Sequence, residues 1–480
     1  MARLSILATA ALLLQSTRAQ SSSSACSATL SASYAAPSVA SGYQAKLVAN
    51  KLTKPRSIIF DSEGHLLVVE SGKGITSLTL RDDGNGCVGL SGTQAIINDK
   101  SLNHGIEMST NGKTLYASNS GSVYSWDFDA QAQKNTSTPR ELVVGMVNTD
   151  HTTRTLMLSR KVNGRLLVSR GSTSNIDSLA QDITSGHSQI RAFDIGALGS
   201  DRAAYQFDDE GTLLGWGLRN SVGLAEHPIT GGIFSVENSV DEMERQGKDI
   251  HESNPGEEMN FHGYLNGTRY AGQGQNYGYP TCYAAWNVSD IPENQSLKPG
   301  VQFAIGNLNG TASDSACQND HVAPVLAFPS HWAPLDLKFN AEGTTAWVTS
   351  HGSWNKDRPD GYLVYAIAFS PSTGMPTEPA DSMKAVIPIM RNPDNSKCPT
   401  GCFRPVGLAF DRMGRLFMSS DSTGEIYMIT KTDGKSVASA TPTAGAPAST
   451  SSPAAASGFA VSTAGLGLVG VVMAIMSWLF

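Results

Sequence analysis

Apolar and polar positions follow one pattern that recurs along the chain. A short apolar strand is followed by a turn carrying glycine, then by an alternating strand rich in β-branched residues. The copies are RSIIFDSEGHLLVVE (56–70), HGIEMSTNGKTLYAS (104–118), RTLMLSRKVNGRLLVS (154–169), NSVGLAEHPITGGIFSVE (220–237), LDLKFNAEGTTAWVTS (335–350) and VGLAFDRMGRLFMSS (406–420). Their turn glycines are Gly64, Gly112, Gly164, Gly231, Gly343 and Gly414, at intervals of 48, 52, 67, 112 and 71 residues. Such irregular spacing weakens a β-helix, whose repeats are much shorter. No sustained amphipathic helical period occurs between 40 and 430. One hairpin cannot bury both of its faces, whereas six stacked radially can, and stacking also protects their edges. The pattern therefore predicts an all-β, six-bladed β-propeller, with a β-sandwich or β-helix as the alternative.

Composition agrees with this. Charged residues make up 16% of the chain and glycine 47 of 480 positions, which suits tight turns and argues against a helical bundle or coiled coil. The net charge is −7 with no basic stripe, so nucleic acid is not an expected partner.

The two ends read as addresses. Arg3, the apolar run Leu4–Leu14 and the small residues at Thr17 and Ala19 predict a signal peptide over 1–19, with an uncleaved signal anchor as the alternative. A Ser-rich leader (20–40) then precedes the propeller (41–432). Residues 433–458 read as a Ser/Thr/Ala/Pro stalk. The apolar tail 459–480, with no Lys or Arg after it, predicts a glycosylphosphatidylinositol (GPI) attachment signal, a single-pass anchor being the alternative. The protein is thus expected to be secreted and held at the cell surface. The six cysteines suggest, by local spacing, the pairs Cys26–Cys87, Cys282–Cys317 and Cys398–Cys402. Of the sequons at Asn135, Asn266, Asn287, Asn294 and Asn309, the last four crowd into 240–330, which reads as a glycosylated, solvated insertion.

The repeat also aligns polar residues. Just before the first strand stand Arg56, His104, His151 with Arg154, Arg219 with Asn220, and Arg404. Equivalent blades bring these positions to one end of the axis. Several cations in register repel one another and are costly to desolvate, and a bound polyanion resolves both problems. Arg forks suit carboxylates and phosphates, so an anionic ligand on the axis is expected. His104, in an N-H-G turn, reads as structural. Glu237, Asp241, Glu242, Glu257 and Glu258 read as a solvated acidic loop rather than a second cation site. Trp216 and Trp332 read as packing, and Tyr277 and Tyr279 as either sugar-stacking or filling residues.

Six segments carry a family resemblance: L-x-x-P-R at 52–56, D-H-T-T-R-T-L at 150–156 with G-S-T-S-N at 171–175, G-L-R-N at 217–220 with V-E-N at 236–238, N-Y-G-Y-P-T-C at 276–282, H-G-S-W-N at 351–355, and C-F-R-P-V-G-L at 402–408. Over roughly 40–430 the chain resembles the soluble glucose/sorbosone dehydrogenase family of quinoproteins, in particular the fungal pyranose dehydrogenases that depend on pyrroloquinoline quinone (PQQ). The resemblance implies a six-bladed propeller holding PQQ, a tricarboxylate orthoquinone, together with Ca²⁺. It puts Arg56, Arg219, Asn220, His351, Trp354, Asn355 and Arg404 around the cofactor. It makes His151 the general base toward the C1 hydroxyl of an aldose or pyranose, with Arg154 and Arg219 polarising the quinone oxygen. Backbone carbonyls near Ser239 and Val240 would hold the cation. Nothing in the chain resembles the haem domain or carbohydrate-binding module of some relatives, so electrons are expected to leave to an external acceptor, a haem protein or a small quinone.

Two rival readings remain at this level. A calcium-dependent lactonase-type hydrolase on the same fold needs carboxylates and Asn converging on a channel metal, where this sequence puts Arg and His. A non-catalytic cell-wall carbohydrate-binding propeller needs none of the His151, Arg219–Asn220 and H-G-S-W-N set.

Overall fold

All six predicted hairpins form. In a computed structural model that describes residues 30–438 apart from 85, 200–201 and 309–311, the first and second strands of each blade pair antiparallel: Pro55–Phe60 with Leu66–Glu70, Ile106–Met108 with Thr114–Ser118, Leu156–Leu158 with Arg165–Arg170, Ser221–Glu226 with Gly232–Glu237, Pro334–Phe339 with Thr345–Ser350, and Pro405–Phe410 with Leu416–Ser420. Outer strands complete six sheets, which are the blades of a β-propeller. In the sixth blade the outermost strand is Tyr43–Ala49, from the start of the described chain, paired with Glu425–Lys431 from its end. That pairing joins the start and the end of the described propeller chain in one blade and closes the ring.

The core lies between the blades rather than within any one of them. Phe234, Phe261 and Phe328 of the fourth blade pack with Leu337, Val348 and Tyr365 of the fifth. At the axis the first strands come so close that side chains are excluded. A Cβ on Gly407 would lie 2.6 Å from the Arg56 carbonyl oxygen, and one on Gly105 2.2 Å from that of Arg154.

Three sequence-based expectations change. The leader was expected to reach residue 40, yet Ser38–Val39 pairs with Met390 and Arg391 on the fifth blade. The insertion 240–330 is not one surface excursion, because Glu257–Tyr264 and Leu326–Phe328 within it are the outer strands of the fourth blade. The acidic run is not a solvated loop: Glu237 is buried at the end of Gly232–Glu237, and Glu257 and Glu258 at the start of Glu257–Tyr264. Tyr277 and Tyr279 are buried as filling.

Cys282–Cys317 and Cys398–Cys402 are bonded as expected. Cys87 is disulfide-bonded, and its expected partner Cys26 lies outside the described residues, as do the signal peptide and the tail. No helix among the described residues is long and apolar enough to cross a membrane.

Candidate active site

The first strands all start at one end of the axis, and the connections from second to third strands return there. Three of those connections are long: 171–188, 238–256 and 351–362. Two of them, 238–256 and 351–362, together with residues preceding the first strands, line a cavity of about 270 Å³. Of the expected site residues, His151, Arg219, Asn220, Ser239, His351, Trp354 and Arg404 line it.

His151 is set as a base by its neighbours. Its Nδ1 lies 3.1 Å from the Ser172 carbonyl oxygen and 2.9 Å from Ser172 Oγ. The carbonyl can only accept, and Ser172 Oγ gives its own proton to the Ser174 carbonyl at 2.8 Å. The imidazole proton therefore sits on Nδ1, and Nε2 presents its lone pair. Burial, then the charge of Arg219, hold the His151 pKa down at about 4, against the raising pull of Asp150 and Asp241. The ring is neutral near pH 7. Its backbone has φ +38°, held by Asp150 Oδ1, which accepts from His151 N at 2.8 Å, and by Arg154 Nη1, which donates to the His151 carbonyl at 2.7 Å. Gly171 makes the room: a Cβ there would meet His151 Cβ at 2.8 Å and Asn220 Oδ1 at 2.7 Å.

The cations differ from the expectation of unpaired arginines around an anion. Arg219 is 2% exposed. Its guanidinium donates to the carbonyls of Asn175, Asn238 and Ser239, to Asn175 Oδ1, and to Asp241 Oδ2 at 2.8 Å. All five of its protons are spent on shaping the 238–241 loop, so it acts on the cavity by charge and not by an open donor. Arg56 is not on the cavity wall; its Nη1 pairs with Asp421 Oδ2 at 2.6 Å. The other Asp421 oxygen accepts from His351 Nε2 at 2.9 Å. Against the raising effect of burial, His351 and then Arg56 hold the Asp421 carboxyl below its usual range, while burial and then Arg404, against the pull of Asp421, bring the His351 pKa to about 4. Arg404 donates through Nε and Nη2 to the His351 and Gly352 carbonyls. Its Nη1 has no protein acceptor among the described residues, which makes it the open cation of the set.

Arg154 was expected to polarise a bound group, but it is fully buried and donates to the carbonyls of Met146, His151, Thr153 and Ser120. Four carbonyls in a dry site consume the guanidinium, so it positions His151 instead. Asn355 and Val240 also lie behind the wall. Asn355 Nδ2 donates to the Asp241 carbonyl at 2.5 Å, and the Val240 side chain packs with Met243 and Tyr279. His104 is buried beside Ser57, as a structural residue.

Sequence reasoning missed Asp421, His331, and the part that Asp241 and Glu257 play in the wall. Asp421 had a legible signal: it follows the second strand of its blade, the register position that Asn238 and His351 occupy in theirs. His331 had none.

The donor set fits a flat polyanion with a cation beside it. Arg404 and Asn220 line the cavity. Asp241, Glu257 and Ser239 line the same cavity. The Ser239 carbonyl already accepts from Arg219 at 2.5 Å, and the carbonyl of buried Val240 accepts no hydrogen bond among the described residues. Asn355 Oδ1 is likewise buried without a partner. Such orphaned acceptors are costly unless a ligand meets them.

Comparison with known proteins gives the same direction. The TrAA12-like family model matches residues 37–432. A pyrroloquinoline quinone-dependent sugar dehydrogenase of Hypocrea jecorina is 48% identical over 83% of this chain and 90% of its own length. A pyrroloquinoline quinone-dependent pyranose dehydrogenase of Coprinopsis cinerea is 38% identical over 82% of this chain, which spans about half (55%) of that longer relative. The calcium structure of the Trichoderma reesei Carbohydrate-Active Enzymes Family AA12 protein superposes with a TM-score of 0.82 at 48% identity, over 84% of this chain and 99% of that one. The holo form of the Coprinopsis cinerea pyranose dehydrogenase PQQ domain superposes at 0.78 with 36% identity, over 85% and 99%. This six-bladed propeller belongs to the TrAA12-like family.

Proposed function

We propose that the protein is a quinoprotein oxidoreductase that oxidises the C1 hydroxyl of an aldose in its pyranose form to the lactone, with PQQ and Ca²⁺ as cofactors and an external electron acceptor. The observation that carries this is His151: a neutral imidazole, its tautomer set by Ser172, beside a cavity that also holds an open Arg404.

When bound, the orthoquinone supplies a hydride acceptor, which a Lewis-acidic cation makes more electrophilic. The chain's own residues do the rest. Arg404 and Asn220 would grip its carboxylates and His351 its edge, while the Val240 and Ser239 carbonyls would face the cation. His151 Nε2 takes the proton of the sugar hydroxyl. As charge develops on the ring, the Ser172 carbonyl holds Nδ1–H more strongly, and Asp150 and Asp241 favour the cationic form. An anion brought into the cavity raises the His151 pKa from about 4 toward the working range. Arg219 keeps the Asp241 loop in place throughout.

The test is reconstitution. PQQ and Ca²⁺ are added to the apoprotein and reduction of a dye is followed with a panel of aldoses. Turnover that needs both additions supports the reading; neither binding nor turnover defeats it.

We further propose an extracellular setting. The disulfides Cys282–Cys317 and Cys398–Cys402 support it, because such bonds persist in oxidising compartments. GPI attachment and glycosylation remain sequence-based parts of the same proposal. Release of the protein from cells by a phosphatidylinositol-specific phospholipase checks the first, and a mass shift on deglycosylation checks the second.

A further inference from the structure

Three histidines line the cavity, and each has one ring nitrogen bonded to the protein. His151 Nδ1 donates to the Ser172 carbonyl at 3.1 Å. His331 Nε2 donates to the His251 carbonyl at 2.6 Å. His351 Nε2 meets Asp421 Oδ1 at 2.9 Å. Two rings therefore rest against neutral dipoles, and only His351 rests against a carboxylate. Hydrogen bonds between ionised groups are roughly twice as strong as those between neutral ones, so an added proton gains most at His351.

Asp421 is fixed as an anion. Its second oxygen accepts from Arg56 Nη1 at 2.6 Å. Against burial, His351 and then Arg56 hold its carboxyl below the usual range. A carboxylate can only accept, so the His351 proton lies on Nε2. His351 Nδ1 carries a lone pair with no partner among the described residues. Without a ligand the ring is neutral: burial, with Arg404 and Arg56, outweighs the pull of Asp421 and brings its pKa to about 4. His104, behind Ser57, is buried and held neutral, so it adds no charge.

The rest of the cavity has little positive charge to spare. Asp150 and Asp241 stand against Arg219 and Arg404. Glu257, raised by burial to about 7, supplies no cation in either of its states. A ligand with several carboxylates brings in more negative charge than Arg404 can meet alone. A carboxylate is repelled by the lone pair of a neutral imidazole and attracted by an imidazolium. The same negative charge offsets the two guanidiniums that keep His351 neutral.

We propose, on the quinoprotein reading above, that Asp421 is a positioning residue that makes His351, and neither His151 nor His331, the group that takes up a proton when a polycarboxylate such as PQQ enters the cavity. The two histidines that matter to the reaction then divide the work. A cation at His351 offsets the ligand, and His151 stays neutral and able to accept the substrate proton.

Asp421→Asn tests this, because the amide oxygen still accepts from Nε2 and only the charge is lost. His351→Gln removes the titrating ring. The apoprotein with saturating Ca²⁺ is titrated with PQQ by calorimetry at neutral pH, in buffers of different ionisation enthalpy, which counts the protons taken up. Wild type is expected to take up about one proton more than either variant, and its Kd to weaken with rising pH by up to about tenfold per unit more than theirs. A proton released from Glu257 is common to all three proteins and cancels in the difference.

Equal uptake in wild type and Asp421→Asn overturns the assignment, and so does uptake that persists in His351→Gln. Failure of PQQ to bind the wild-type protein defeats the quinoprotein reading instead. The cofactor-free proteins then decide the role of Asp421 by NMR of the imidazole rings. His351 is expected to be half-protonated near pH 4 in wild type and still neutral there in Asp421→Asn; identical titration in the two overturns that role.

Discussion

The two ends of the propeller axis are built from the same strands and differ in their loops. At the end away from the site, all six connections from first to second strand are five or six residues long. At the site end three connections are long, and they carry Ser172, Asn175, Ser239, Asp241, His351 and Trp354. Both ends hold a cavity, and the one at the short-turn end is larger, about 370 Å³ against about 270 Å³. Its walls are apolar, with Ile58, Phe60, Ile106, Met108 and Phe339 among them, and its cations are neutralised next door. Arg160 pairs with Glu107 and Lys338 with Asp336, each at 2.7 Å. At the site end the cations are buried, bound largely to backbone carbonyls, and one guanidinium nitrogen is left open. Size does not separate these two cavities; the state of their charges does.

The comparison is broken most directly at His151. His151→Ala is expected to lower kcat by roughly 10²–10⁴-fold while cofactor binding, read by quenching of protein fluorescence, persists. The wild-type rate needs the neutral ring, so it is sustained above the folded pKa and falls as pH drops through it. For the cofactor-free site that is about 4, and the measured break should lie higher once an anion is bound.

Arg404→Ala removes the open donor and is expected to weaken PQQ binding about 10- to 100-fold, since a hydrogen bond to a charged group contributes about 1.5–3 kcal/mol. Equilibrium titration reads this directly. Gly171→Ala sharpens the point about loops. Its Cβ would strike Asn220 Oδ1 and His151 Cβ, so it should cost about 1–3 kcal/mol of stability by urea denaturation and reduce kcat as well. An unchanged kcat would show that the His151 pose tolerates displacement.

A pH series of urea midpoints tests the buried histidines together. His151 and His351 have folded pKa values of about 4 and His262 about 3, each lowered first by burial. The unfolded chain binds their protons near pH 6.5, so the stability they contribute is complete above 6.5 and is lost as pH falls toward 4. Glu257 and Glu258, raised by burial to about 7, act with the opposite sign: their contribution is present below about 4.5 and is lost as pH rises through 7. The two sets oppose each other over the same window, so a histidine's contribution is read as the wild-type midpoint minus that of His262→Asn, and a difference that does not shrink from pH 6.5 to 4 would show that this ring is not buried neutral.

The smallest effects belong to the other end of the axis. Arg160→Ala removes a pair whose cation is half-exposed and should change stability by about 1 kcal/mol or less, with kcat and KM unaltered.

What was legible in the sequence follows from what is local. Strand alternation and turn glycines act over a few residues, so all six hairpins could be read, and with them the register that puts Arg56, His151, Asn220 and Arg404 at one end. Where that register ran out, the reading erred in a consistent way. Arg154 and Arg219 were read as ligand-facing because their charge was legible, whereas the carbonyls that absorb it come from Met146, Asn175 and Ser239 on other segments. Glu257 and Glu258 looked solvated because acidity is legible and burial by a neighbouring strand is not.

The sequence by itself determined the repeat, the all-β architecture and the kinds of groups that meet on the axis, because each depends on residue type and short-range spacing. Only the tertiary structure decided which of those groups are spent on the protein and which remain available. It placed Ser172 so that His151 keeps its proton on Nδ1, placed Asp421 between Arg56 and His351, and left Arg404 with an open nitrogen. Those outcomes turn on hydrogen bonds between residues that are tens to hundreds of positions apart, and a proton or a guanidinium responds to the partner it touches rather than to its neighbours in the chain.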